Sequence, residues 1–144
     1  LLCHENEKAI YGDTAERCLD ILQNFPQIRS VFDPANFIQC KVDTLKAWDL
    51  ISGYTEYLHI KDALSDGSVV PPGCGTGNLK KIISDYRNMG KNVLTIEPHL
   101  SVFEGLSSLE REGDKSIIGN YAYSSKTEAF NAAVSALNQL IDGL

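Results

Sequence analysis

The chain has 144 residues, a net charge of -6 and a pI near 5.0, with hydrophobic and charged shares of 43% and 22%, as in an ordinary globular protein. That length fits one domain over residues 1–144. The acidic balance gives no general attraction for a nucleic-acid backbone, and no apolar run approaches the ~18 residues of a membrane span. The four cysteines, Cys3, Cys18, Cys40 and Cys74, are too widely spaced for a paired metal motif and read as reduced thiols in a cytoplasm.

In chain order, "LLCHE" (1–5) has strand character and runs directly into Asn6 and Glu7. "GDTAERCLDILQNF" follows as a helix, with capping-box spacing between Asp13 and Glu16 and one stripe of Ala15, Cys18, Leu19 and Leu22. "IRSVFD" reads as the second strand and "DTLKAWDLI", capped by Asp43, as the second helix, with Leu45 and Trp48 on its core stripe. "TEYLHIKDA" (55–63) is the third strand. "PPGCGTGN" sets Gly73, Gly75 and Gly77 before a helix N-terminus, where backbone N–H groups can cradle a phosphate, but a tight loop feeding the helix is the favoured reading. The helix itself, "GNLKKIISDYRN", has Asn78 as cap and a stripe of Leu79, Ile82, Ile83 and Tyr86. "NVLTIEPHL" is the fourth strand, and the long, partly apolar connection from Ser101 to Ser124 is expected to form a lid. The fourth helix, "SSKTEAFNAAVSALNQLIDGL", is capped by Ser125 with Glu128 three residues on, and striped by Phe130, Ala133, Val134, Leu137 and Ile141.

Such alternation implies an α/β fold of parallel strands joined by helical crossovers, with every strand C-terminus on one side of the sheet. The strands end in Glu5, Asp33, His59 and Glu97, about one strand-helix unit apart. Singly, each is as well explained as a solvated carboxylate or a core histidine; together they describe one shared site. Hard oxygen ligands with one imidazole suit Mn²⁺ or Mg²⁺, with Co²⁺ or Zn²⁺ as alternatives. Alternation along an extended backbone places Glu7, Lys61 and His99 on the same face, two residues further on, and turns His4 to the opposite face.

These residues, with the segments "HENE", "YGDT", "FDPANF", "HIKDA", "PPGCGTGN" and "EPHL", resemble the xylose isomerase-like TIM barrels, the superfamily of sugar isomerases and epimerases that also contains endonuclease IV. The resemblance covers nearly the whole chain. It implies a (β/α)8 TIM-barrel type to which this chain supplies four β/α units, the second or C-terminal half-barrel. It further implies that Glu5, Asp33, His59 and Glu97 hold the metal, and that Glu5 and Glu97 face each other across the substrate and exchange protons with the carbon next to its carbonyl. The chemistry makes the same demand: a metal-polarised carbonyl acidifies the neighbouring C–H, and carboxylates on the two faces remove and return the proton. Glu7, Asn36, Lys61 and His99 are the expected substrate-binding residues.

Some positions depart from the family. A histidine stands in the ketose 3-epimerases where this chain has Asn36, and a second glutamate where it has Tyr11, which argues against epimerisation of a free ketohexose. Asn36 can donate a hydrogen bond but cannot relay a proton. The three histidines, His4, His59 and His99, are too few for the trinuclear zinc site of endonuclease IV. The expected activity is therefore a divalent-metal-dependent isomerase or epimerase of a sugar, sugar phosphate or cyclitol. The alternative is a metal-binding, catalytically incomplete half-barrel. Four units are half of an eight-stranded barrel, so the chain is expected to need a partner, either an N-terminal half-barrel or a second copy, and not to be a stable monomer.

Overall fold

The computed structural model describes residues 1–101, 121 and 123–144. β1 (Leu2–Glu5) leads to α1 (Ala15–Asn24), β2 (Ile28–Phe32), the short α2 (Pro34–Gln39) and α3 (Thr44–Ile51). β3 (Thr55–Ile60), the two-residue strands β4 (Asp62–Ala63) and β5 (Val69–Val70), α4 (Leu79–Asn88), β6 (Leu94–Ile96) and α5 (Lys126–Asp142) complete the order. β1, β2, β3 and β6 form one parallel sheet in that spatial order, and β4 pairs with β5 antiparallel. Among the described residues no helix is long and apolar enough to cross a membrane.

One face of the sheet carries the core. Phe32, Leu58 and Ile60 are fully buried against Ala15, Cys18 and Leu22 of α1, Ala47, Trp48 and Ile51 of α3, and Leu79, Ile82, Ile83 and Tyr86 of α4. The Phe32 ring meets Trp48 edge-on at 5.0 Å and Phe37 at 5.1 Å. The predicted stripes of α1 and α4 thus face inward, as does Trp48 on α3, whereas Leu45, expected beside it on the core stripe, is exposed. Strand alternation leaves Cys3, Tyr57 and Thr95 on the other face, the one that also bears Glu5 and His59. β1 and β6 are the edge strands, and Leu1 and Leu2 lie largely exposed along the first.

Several local expectations are corrected. The cap of α1 is Thr14, whose Oγ1 accepts the Arg17 N–H, because the helix begins one residue later than the Asp13 box requires; Asp13 pairs instead with the Arg17 side chain at 2.7 Å. Asn78 does precede α4, but in the left-handed conformation (φ 57°) and without a capping bond; its side-chain amide donates to Thr44 Oγ1. On α5 the Ser125 cap holds, with Glu128 N–H donating to its Oγ, yet the buried residues are Ala129 and Ala133 while Phe130 is exposed. The fourth strand stops at Ile96, two residues short of Pro98, which cannot donate to a ladder. The lid expected over 101–124 falls for the most part outside the described residues.

The third strand also ends early, at Ile60, and the reason lies in Asp62. Its buried carboxylate accepts the N–H groups of Ala63, Gly73, Gly75 and Gly77, all within 2.9–3.0 Å. The glycine loop is therefore wrapped around an anion supplied by the chain itself, which supports the tight-loop reading over the phosphate cradle. Burial raises the Asp62 pKa while the four donors oppose the rise. A Cβ on Gly75 would come within 2.3 Å of Asp62 Oδ1 and 2.4 Å of the Ala63 carbonyl oxygen. Gly75→Ala is accordingly expected to cost about 1–3 kcal/mol in chemical denaturation; a variant as stable as the parent would contradict this packing.

Candidate metal centre

The sheet's C-terminal edge gathers one side chain from each strand end. Glu5 closes β1, His59 lies one residue from the end of β3, and Asp33 and Glu97 each follow directly on β2 and β6. Asp33 is fixed by a second duty that the sequence reading missed: it is the N-cap of α2, with Pro34 at the first helical position. Its Oδ1 accepts the Asn36 N–H at 3.0 Å, which leaves Oδ2 turned toward the other three residues. The Asp-Pro pair in "FDPANF" was the available signal, but six residues give too little periodicity to reveal a helix.

His59 Nδ1 stands 3.0 Å from Glu5 Oε1 and 3.3 Å from Glu97 Oε2. One ligand atom from each of Glu5, Asp33, His59 and Glu97 lies within 4.8 Å of all the others. Lys61 Nζ approaches Asp33 Oδ2 at 3.0 Å and Glu97 Oε2 at 3.5 Å, and His99 Nε2 approaches Glu97 Oε1 at 3.4 Å. Despite these neighbours, Asp33 Oδ2 and Glu97 Oε2 are buried oxygens without a well-directed hydrogen bond. Buried carboxylate lone pairs left over in this way fit a divalent cation, as does the mixed oxygen and imidazole donor set. These four residues could bind a metal.

The charges of the group bear on one another. Burial favours neutral His59, but its hydrogen bond to Glu5 and the nearby Glu97 carboxylate outweigh that and keep the imidazole protonated up to about 10. The same contact to His59, joined by His99 and Lys61, holds Glu97 well below the usual carboxylate range. Burial pushes the Asp33 carboxyl up to about 6 against the opposing pull of Lys61. Burial also works against the Lys61 ammonium, and the charges of Asp33 and Glu97 more than offset it.

Of the expected substrate contacts, Lys61 is buried and committed to the carboxylates, while Glu7 Oε2 accepts from Asn36 Nδ2 at 3.2 Å. His99 reaches Glu97 by a different route from the one expected, since the strand has already ended and its own φ is +46°. Tyr11 points away: its hydroxyl donates to Asp20 and Arg17 covers its ring. His4 faces α1, with Nε2 3.8 Å from Cys18 Sγ, as alternation from Glu5 requires. Asn6 was passed over altogether, although it is buried and bonded to Asp33.

No family model and no curated protein matches the sequence. Solved structures do. The D-psicose 3-epimerase of Clostridium cellulolyticum H10, described in complex with D-tagatose, superposes with a TM-score of 0.67 at 14% identity, covering 97% of this chain and 48% of that one. A xylose isomerase domain protein from Planctomyces limnophilus gives 0.60 at 18% identity, over 96% of this chain and 44% of that one. The fold is that of half a TIM barrel. The probable 3-DHS dehydratase AsbF of Bacillus anthracis, linked to petrobactin synthesis, matches the half-barrel with a TM-score of 0.58 at 14% identity, over 93% of this chain and 47% of that one. The half-barrel spans a little under half the length of each structure that it matches. The four-stranded parallel sheet is what half of an eight-stranded barrel requires, and the candidate centre sits at the strand C-termini, where such barrels carry their sites.

Proposed function

We propose that this chain is the C-terminal half of a divalent-metal-dependent isomerase or epimerase acting on a sugar, sugar phosphate or cyclitol by proton transfer next to a carbonyl. The observation that carries the reading is the convergence of Glu5, Asp33, His59 and Glu97, with two buried carboxylate oxygens unsatisfied. Mn²⁺ or Mg²⁺ is the ion best matched to this donor set. When bound, the ion would polarise the substrate carbonyl and stabilise the negative charge that develops on its oxygen. Glu5 and Glu97 approach His59 Nδ1 from two different strands, so one can take the proton from the carbon and the other return it. Asn36, whose amide already donates to Glu5 and Glu7, can turn the same hydrogens to a substrate oxygen, and Lys61 keeps positive charge beside Asp33 and Glu97. No disulfide joins the four cysteines, which accords with work in a reducing cytoplasm.

The active form should exchange the proton next to the carbonyl with solvent, so incubation in D₂O with Mn²⁺ and a panel of ketoses, ketose phosphates and inososes should place deuterium in the product. Complete retention of the original proton would point to a hydride shift and remove Glu5 and Glu97 as acid and base. The second reading, a metal-binding half-barrel without turnover, is favoured by the coverage of under half of each solved structure. The two readings separate in one assay: metal binding with no turnover in the 144-residue chain alone, and turnover when four further strands are supplied.

We also infer that the half-barrel associates, through its β1 and β6 edges, with four further strands from an N-terminal half or from a second copy. Sedimentation at micromolar concentration should show a dimer or larger species. A monodisperse, folded species of 15.8 kDa would end that idea.

A further inference from the structure

β1 stops at Glu5, but its pairing with β2 does not stop there. Asn6, 1% exposed, continues it with its side chain: Nδ2 donates to the Asp33 carbonyl oxygen at 2.8 Å, and the Asp33 N–H donates to Asn6 Oδ1 at 2.9 Å. The exchange needs a donor and an acceptor in one planar group of this length, which aspartate and leucine of similar shape do not offer. The Asn6 carbonyl oxygen accepts from Asn36 Nδ2 at 2.9 Å, and the same amide faces Glu5 Oε1 at 3.3 Å and Glu7 Oε2 at 3.2 Å. Asn36 N–H closes the ring on Asp33 Oδ1. Asn6 thus joins the backbones of the two strands at their ends, and Asn36 joins the Glu5 and Glu7 carboxylates to that of Asp33.

We propose that Asn6 is a positioning residue that sets the size of the ion the centre accepts, an inference that rests on the metal reading above. Small ions such as Mg²⁺ hold their ligands at about 2.0–2.1 Å in a strict geometry, whereas Ca²⁺ takes about 2.3–2.6 Å with loose coordination. A spacing between Glu5 and Asp33 fixed by Asn6 favours the small ion because the ligands cannot spread. Freed from Asn6, β1 and β2 part at their ends and the penalty against Ca²⁺ falls. Bonds one step removed from a ligand commonly move metal affinity by about 10–100-fold.

The test is the ratio of Mn²⁺ to Ca²⁺ affinity, measured by competition titration on the full chain and on Asn6→Asp. The added negative charge strengthens both ions and largely cancels in the ratio, whereas lost spacing does not cancel. The parent should prefer Mn²⁺, and the variant should narrow that preference at least tenfold. Leu22→Ala, which lowers stability from the buried core cluster of the other face, should leave the ratio unchanged. Should Asn6→Asp fail to fold, Asn36→Ala, which releases Glu5, Glu7 and the Asn6 carbonyl, must narrow the ratio in the same way. A ratio changed by less than tenfold, a ratio moved equally by Leu22→Ala, or a parent that binds Ca²⁺ as tightly as Mn²⁺ overturns the role of Asn6 while leaving the metal centre standing. A parent that binds neither ion overturns the centre itself.

Discussion

Replacing Glu97 with glutamine is expected to weaken Mn²⁺ binding by on the order of 100-fold, the upper end of what losing an outer hydrogen-bond partner costs. Glutamine keeps the length and one acceptor oxygen of Glu97 but removes its charge. That charge is stabilised in the folded chain by His59, His99 and Lys61 together. The protonated His59 and the Lys61 ammonium, with the His99 ring beside them, hold this carboxylate ionised, so its neutralisation removes attraction for a cation. The fold should survive, because the side chain is 36% exposed and lies just beyond β6, outside the core packed by Phe32, Trp48 and Tyr86. Calorimetric titration decides it: an unchanged Mn²⁺ affinity in a folded Glu97→Gln chain would falsify the assignment of this residue as a ligand.

Metal affinity should also rise steeply with pH. His59 must lose a proton before its Nδ1 can coordinate, and in the metal-free chain that proton is held up to about 10. Between about pH 6 and 9 the apparent affinity should therefore climb about tenfold per pH unit. Below about 6 the Asp33 carboxyl is protonated as well, since burial raises it to that value, and the slope should steepen toward two protons per ion. The sign is fixed by the direction of both shifts: each raised group binds a proton that the ion must displace, so acid opposes loading. Titrations at pH 8 in buffers of different ionisation enthalpy should report release of about one proton per ion. Affinity that stays flat from pH 7 to 9 would show that His59 is not displaced from its proton by the metal.

The layout of the centre was legible in the sequence because it depends on order alone. Alternation of strand and helix forces the strand C-termini to one edge, so Glu5, Asp33, His59 and Glu97 could be placed together without any knowledge of their distances. What was not legible depends on short-range bonds that carry no period. α2 is six residues long, and Asp33 and Pro34 start it where the strand had been expected simply to end. Asn6 carried no signal of its role because its two bonds reach across 27 positions of sequence. Lys61 and His99 reach the centre for reasons that alternation does not supply: Lys61 is drawn in by Asp33 after β3 has ended, and His99 sits on a left-handed backbone.

The loop around Asp62 has a consequence for how such sequences diverge. Gly73, Gly75 and Gly77 have N–H groups already engaged by one carboxylate, and a side chain on Gly75 or Gly77 would strike that same carboxylate. While the aspartate is kept, a lineage cannot fill Gly75 or Gly77 without displacing it. If the aspartate is lost, Gly77 is the position released, because Gly73 stays bound by its left-handed φ of 85° and by Leu140, and Gly75 by the Ala63 carbonyl oxygen. Relatives of this chain that keep the aspartate should keep Gly75 and Gly77 with it, and those that lose it should vary first at Gly77.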